Sequence, residues 1–294
     1  MSVTAATLLV EDLGVERHRG VLGTLRATGP VGMASAGVIA LATFLACFGV
    51  LIAPFNPTVG NLTNAWVGPS ASHVLGFDVD GRDVLSRLLA GTWTSMLGPL
   101  FVVAVCIVLG SALAVVAAWR GGALDTFLSS GMDIVFAFPG ILLAIVATAV
   151  FGAGLTAASI ALAIAYTPYV ARVLRGAALR ERNREYVAAL EVQGASSFRI
   201  CLRHLLPNIA PLIVAQATIL FGYAMVTLAA ISYLGLGVQP PAPNWGLMVS
   251  ENQQGILTGA PIPALAGGIL IVVVVIAFNL LGERLFEVAS KGSR

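Results

Sequence analysis

The chain has 294 residues, of which 58% are hydrophobic and 10% charged, with a mean hydropathy of +0.93. Ordinary soluble domains carry about 25% charged residues, so a water-soluble fold could not cover this much apolar surface. A formal charge of +2, with basic residues set in loops between apolar runs rather than along one stripe, excludes a nucleic-acid partner and leaves the lipid bilayer.

Cys47, Cys106 and Cys201 fall singly, as do His18, His73 and His204, without metal-ligand or disulfide spacing, and the cysteines read as packing residues. Only one Lys is present, Lys291, and Glu287 to Ser290 before it contain no Gly. A phosphate-cradling loop needs a Gly-rich turn there, so this chain is expected to bind neither ATP nor a metal.

In chain order, the polar segment 1–30 carries Glu11, Asp12, Glu16, Arg17, Arg19 and Arg26. The apolar run at 31–53 follows it, too long and too late for a cleaved signal peptide and about 34 Å long as a helix. It reads as the first span. The loop 54–92 is rich in Pro, Gly and Asn and holds Asp78, Asp80, Arg82 and Asp83, which either help seat a substrate-binding protein or pair within the loop.

Span two covers 93–118. Span three covers 124–151, its purely apolar part at 134–151 extended by helix-compatible residues from 124, with a kink expected at Pro139-Gly140. Asp133 precedes that apolar part, and an acid near a span is a candidate for substrate or proton transfer, the plainer reading being a helix-start charge at the interface. Asp133 and Pro139 are thus the two candidates for the transport pathway.

Spans four, five and six follow at 155–171, 209–236 and 261–282, separated by loops at 172–208 and 237–260, with a tail at 283–294. Six spans put both termini on one side. Fourteen of the sixteen Lys and Arg residues lie on that side and only Arg82 and Arg87 on the other, which makes the termini and the loop 172–208 cytoplasmic. The fold class is all-α, a polytopic membrane protein. Trp66, Trp93 and Trp245 are expected near the outer boundary and Trp119 at the inner one.

The loop 172–208 carries the most information. Residues 180–193 are compatible with a helix apart from Asn183, and Tyr186, Ala189, Leu190 and Gln193 share one face. Gly194 is placed to terminate that helix. Ser196 or Ser197 can cap a second short helix that Pro207 is expected to stop. A helix, Gly turn and helix held between two spans either docks in a cleft of a soluble partner or lies on the bilayer surface.

This segment resembles the EAA loop of binding-protein-dependent ABC importer permeases, whose pattern is Glu-Ala-Ala, three residues, Gly, nine residues, Ile, one residue, Leu-Pro. Ala188, Ala189, Leu190, Gly194, His204, Leu206 and Pro207 occupy those positions, with Ala188, Leu190 and His204 departing from the generic pattern. Arg203-His204-Leu205-Leu206-Pro207-Asn208 is similar to the form found in the dipeptide, oligopeptide and nickel group. Leu75-Gly76-Phe77-Asp78 through Arg87, Asp133 with Phe138-Pro139, Tyr233 to Pro241 with Asn244-Trp245-Gly246, and Phe278-Asn279-Leu280-Leu281-Gly282-Glu283 resemble that group's other segments in order. Within it the chain looks like a C-type permease, except that Leu228-Ala229 stands where Glu-Ala is frequent.

The resemblance implies a type I ABC importer permease architecture and no catalysis by this chain. It implies a homologous B-type permease partner, two ATPase subunits or domains that hold ATP and Mg, and an extracytoplasmic substrate-binding protein. The ATPase-coupling residues would be Glu185, Tyr186, Ala188, Ala189, Leu190, Gly194, Ala195, Arg203, His204, Leu206 and Pro207. Dipeptides or oligopeptides are the expected cargo, with nickel chelates or another small solute as the alternative and a secondary transporter as the competing class. Charged mid-span groups and inverted repeats, the marks of that class, are not visible in the sequence.

Overall fold

The computed structural model of the chain describes residues 27–292, with side chains through Val288. Arg17, Arg19, Arg26, Arg294 and the Lys291 side chain, all of which bear on sidedness, lie outside the described residues, as does most of the expected segment 1–30. The helices are α1 (Gly29–Ile52), α2 (Val84–Arg120), α3 (Gly122–Phe136), α4 (Gly140–Phe151), α5 (Leu155–Arg182) and α6 (Glu185–Val192). They continue with α7 (Ser197–Ile200), a π-helical turn (Cys201–Leu205), α8 (Leu206–Tyr233), α9 (Trp245–Glu251), α10 (Gln253–Leu257) and α11 (Ile262–Gly292). Among the described residues the one β feature is an isolated bridge between Phe77 and Asp83.

Five helices are long and apolar enough to cross a bilayer, the run from α7 through α8 counting as one, and α3 with α4, bent by 75° between them, are apolar enough only when taken together. The bend is sharper than a kink, and Pro139 accounts for it. Lacking an N–H and clashing with the carbonyl four residues back, it ends α3 through the Phe138 N–H to Val135 carbonyl bond of 3.2 Å and then caps α4.

Helix ends depart from the hydropathy boundaries wherever polar residues continue a helix. Helix α2 starts at Val84 rather than 93, because Asp83 caps it by accepting the Ser86 N–H at 2.8 Å. Its 37 residues make a rod of about 55 Å, well beyond the bilayer's apolar thickness. Helix α5 runs to Arg182 rather than 171, since 172–182 is rich in good helix formers although not in apolar ones.

The expected stop at Pro207 is also corrected. Pro207 sits in the first turn of α8, where a missing N–H is harmless, and the wide π turn before it lets Leu206 N–H reach Cys201, so one continuous rod leads from α7 into span five. The loop 237–260 is not wholly irregular either. Asn244 caps α9 by accepting from the Gly246 and Leu247 N–H groups at 3.1 and 3.3 Å.

Packing joins α2 lengthwise to α5, and α8 to α11, with α1 laid against α2. Gly49 permits that last approach, since a Cβ there would stand 2.1 Å from the Leu89 carbonyl oxygen. Helix α1 keeps Leu41, Phe44, Phe48 and Leu51 on its exposed face, as a lipid-facing span does. Trp245, expected at the interface, is instead buried in the core: its indole N–H donates to the Leu88 carbonyl at 3.0 Å and its backbone N–H to Ser95 at 2.9 Å.

Candidate functional site

The hairpin between α5 and α8 is a built structure. Gly194 adopts φ +78°, and around it the Ala195 N–H bonds to the Leu190 carbonyl at 3.0 Å while the Gly194 N–H bonds to Glu191 at 3.0 Å. These two bonds are the Schellman pair that closes a helix on a left-handed residue, the conformation glycine adopts without steric cost. Ser196 then caps α7 by accepting from the Arg199 N–H at 3.4 Å.

Glu181, 8% exposed at the end of α5, fastens the hairpin to both spans. Its carboxylate accepts from the Tyr186 hydroxyl at 3.0 Å and the Asn208 amide at 2.8 Å, and it pairs with Arg184 at 3.1 Å. Asn208 also donates to the Tyr186 oxygen at 3.2 Å. Three elements, the end of α5, the first turn of α6 and the first turn of α8, therefore meet on one acid. Burial, and then the Glu181 carboxylate accepting its proton, push the Tyr186 phenol above its ordinary pKa, so it remains a donor at neutral pH. Arg182 lies 4.2 Å over the Trp119 ring and ties the same corner to the end of α2.

The residues expected to couple divide between the two sides of the hairpin. Tyr186 turns inward, with the His204 ring 6.4 Å away, and Val187, off the expected stripe, is the buried residue of α6. Glu185, Ala188, Ala189, Gly194, Arg203 and Pro207 are exposed, and Leu190, Ala195 and Leu206 half-buried. Val192 at 90% exposure and Phe198 at 75% add apolar surface at the tip. Sequence reasoning missed Glu181, although it is the one acid in Arg180-Glu181-Arg182, and left Asn208 in a motif without a role.

At the opposite end of the bundle the four loop charges all find partners within the chain, Arg82 joining Asp78 and Asp80 while Asp83 binds His73 and the start of α2. Asp78 is fully buried and accepts from Arg82 Nε at 2.7 Å, while Arg87 Nε stands 3.2 Å from the same oxygen. Both guanidinium groups reach Glu251, Arg82 at 3.1 Å and Arg87 at 2.8 Å. Asp83 is held by His73 at 2.8 Å and by the α2 cap. Asp78, Arg82 and Asp83 are thus buried and paired within the chain, the other of the two readings given for this loop, and Asp80, paired with Arg82 at 2.6 Å, is the half-buried member. Burial pushes the Glu251 carboxyl above its usual range, against the opposing pull of Arg87 and Arg82.

The two pathway candidates stand apart from both clusters. Asp133 is in the last turn of α3, not at a helix start, and pairs with Arg172 of α5, which lies 4.9 Å over the Phe136 ring. Pro139 shapes the break beside it. Leu228, where the expected Glu would stand, is buried against the α2 and α5 core.

A bundle of apolar spans carrying one protruding hairpin and one sealed loop cluster is the architecture of a membrane transport subunit, and the comparisons make the class specific. Residues 106–292 match the family described as binding-protein-dependent transport system inner membrane component, and the chain belongs to that family. It is 37% identical to the dipeptide transport system permease protein DppC of Alkalihalophilus pseudofirmus, over 86% of this chain and 84% of the relative. It is 39% identical to the glutathione transport system permease protein GsiD of Pectobacterium atrosepticum, over 74% and 72%. Among solved structures, the inward-facing MetNI methionine ABC transporter aligns with a TM-score of 0.56 at 22% identity, over 69% of this chain and 96% of that one, a likeness of fold. The protein is a multi-pass inner-membrane permease subunit of an importer.

Proposed function

We propose that this subunit imports dipeptides or oligopeptides, taking its power from two partner ATPase subunits or domains that hold ATP and Mg. The observation that carries the reading is the hairpin. Its outer face offers exposed Ala188 and Ala189 with Val192 and Phe198, apolar surface outside the spans of a kind that marks a protein contact. Its inner face is fastened to the ends of two spans through Glu181, Tyr186 and Asn208. A partner cleft that moves the hairpin would move those spans with it, with the hairpin on the cytoplasmic side where the basic residues lie. A B-type permease completes the path, and an extracytoplasmic binding protein delivers the peptide. The relatives that transport a dipeptide or glutathione support this cargo.

The assembled complex, purified with its neighbouring ATPase and binding protein, should hydrolyse ATP faster when the binding protein is loaded with peptide. Absence of an associated ATPase would overturn the proposal. Ala189→Asp isolates the docking step, because the side chain is exposed and a charge there leaves the fold intact to within about 0.5 kcal/mol. The variant should insert normally and lose transport; full uptake would rule out docking through this face.

A further inference from the structure

The exposed face of a span is the test of what it faces, since lipid accepts apolar side chains and penalises polar ones. Helix α1 meets that test with leucine and phenylalanine, whereas the face where α5, α8 and α11 meet sets polar groups among Val173, Leu212, Ile219 and Phe286. Tyr223 is 63% exposed there, and Tyr169, Asn279 and Glu283 are exposed beside it. Two hollows adjoin at Tyr223: one of about 220 Å³ lined by Phe136, Tyr166, Tyr169, Leu220 and Tyr223, and one of about 590 Å³ to which Gln216, Asn279 and Glu283 contribute.

The polar groups of this face are positioned, yet incompletely used. The Tyr166 hydroxyl is 2.8 Å from Thr227, and Gly222 leaves room for the Asn279 amide, since a Cβ there would come within 2.9 Å of its oxygen. Gln216 Oε1 is buried and has no hydrogen-bond partner among the described residues. Glu283 pairs with no cation among the described residues; its neighbour Arg284 pairs with Glu287.

We propose that this face is the subunit's wall of the aqueous transport path, and that it contacts the passing peptide. The inference rests on the importer reading above and names the surface the cargo touches. Phenol and amide groups donate to and accept from peptide N–H and C=O groups whatever the side chains, and flat tyrosine rings accept apolar side chains. Glu283 supplies the counter-charge for a free peptide ammonium. A wall of this kind tolerates many sequences and favours those whose amino terminus is unblocked.

The test uses the whole complex in lipid nanodiscs, with Cys47→Ser removing the exposed thiol and single cysteines introduced as Tyr223→Cys, Asn279→Cys and, for a lipid-facing reference, Leu41→Cys. A charged methanethiosulfonate reacts only with thiols that ionise in water, so the first two should be modified about tenfold or more faster than the third. Labelling of Tyr223→Cys and Asn279→Cys by a lipophilic maleimide alone would place the face in lipid, and labelling by neither reagent would place it under the partner permease; either result overturns the proposal. In reconstituted uptake, Glu283→Gln should raise half-saturation for a free dipeptide several-fold and leave the N-acetylated dipeptide unchanged, and equal effects on both would remove the ammonium role. Peptide-stimulated ATP hydrolysis by the wild-type complex is measured first. Its absence refutes the importer reading, whereas unlabelled cysteines in a complex that does hydrolyse ATP refute the wall alone.

Discussion

The two ends of the bundle each bury an acid, and they use it in opposite ways. At the loop end, Asp78 and Glu251 share two arginines, so that the loop before α2 and the loop after α8 are locked to each other by charge. At the hairpin end, Glu181 gathers a phenol, an amide and the partly exposed Arg184, joining short elements whose outer surface stays open. Charge pairs buried on both sides resist separation, whereas an acid held by two uncharged donors and an arginine that is itself exposed forms a corner that a partner can shift. One end is closed by buried charge, and the other leaves open the surface proposed for coupling.

Breaking the lock should have the largest effect. Asp78→Ala removes the acceptor for Arg82 Nε and for the N–H groups of Asp80 and Arg82, and leaves the fully buried Arg87 with Glu251 as its acid and the Pro57 and Pro241 carbonyls as its other acceptors. Loss of one partner from such a cluster costs about 3–5 kcal/mol. Thermal unfolding of the purified subunit should register this, whereas Asp80→Ala, which removes a half-exposed acid and leaves Arg82 with Asp78 and Glu251, should cost far less. Equal losses from both would mean that the cluster is no tighter than a surface ion pair.

At the hairpin the expected effect on stability is smaller, and the effect on function is the informative one. Glu181→Ala leaves the Tyr186 hydroxyl and the Asn208 amide to each other, at a cost of about 1–3 kcal/mol. Amide hydrogen exchange in α6 should accelerate while the α2 and α5 core stays protected, and the complex should hydrolyse ATP with reduced transport per ATP. Glu185→Ala, on the exposed side of the same turn, is the control and should leave exchange unchanged. Tight coupling in the Glu181 variant would show that the hairpin does not act through its inner face.

What the sequence disclosed follows the same division. The spans, the Gly194 turn and the Ser196 cap were legible because each depends on residues within a few positions of one another. Span ends were not, because hydropathy reports what lipid tolerates and not where a helix stops; the polar first turn of α2 is satisfied by distant segments, Ser86 by the Phe55 N–H and Arg87 by Pro57, Pro241 and Glu251. Arg87 and Glu251 are 164 residues apart, and no local pattern joins them. Trp245 shows the same limit from the other side: a Trp after a proline-rich loop fits an interfacial belt equally well until Ser95 and Leu88 are known to receive its N–H groups. Glu181 lay within a run of arginines, where an acid reads first as a solvated partner.

The mildest substitution is also the one that separates charge from shape in the lock. Glu251→Gln keeps an acceptor for Arg82 and Arg87, and the two arginines stay balanced by Asp78 and Asp80, so its cost should be far below that of Asp78→Ala. Because burial raises the folded-state pKa of Glu251, folding takes up a proton at this site. Its contribution is therefore fully present below the ordinary carboxylate pKa and declines as pH rises through the raised value. The stability difference between wild type and Glu251→Gln should accordingly shrink, and then favour Gln, as pH is raised across that window in paired thermal melts. A difference that grows with pH would mean that the pull of Arg87 and Arg82 outweighs burial at Glu251.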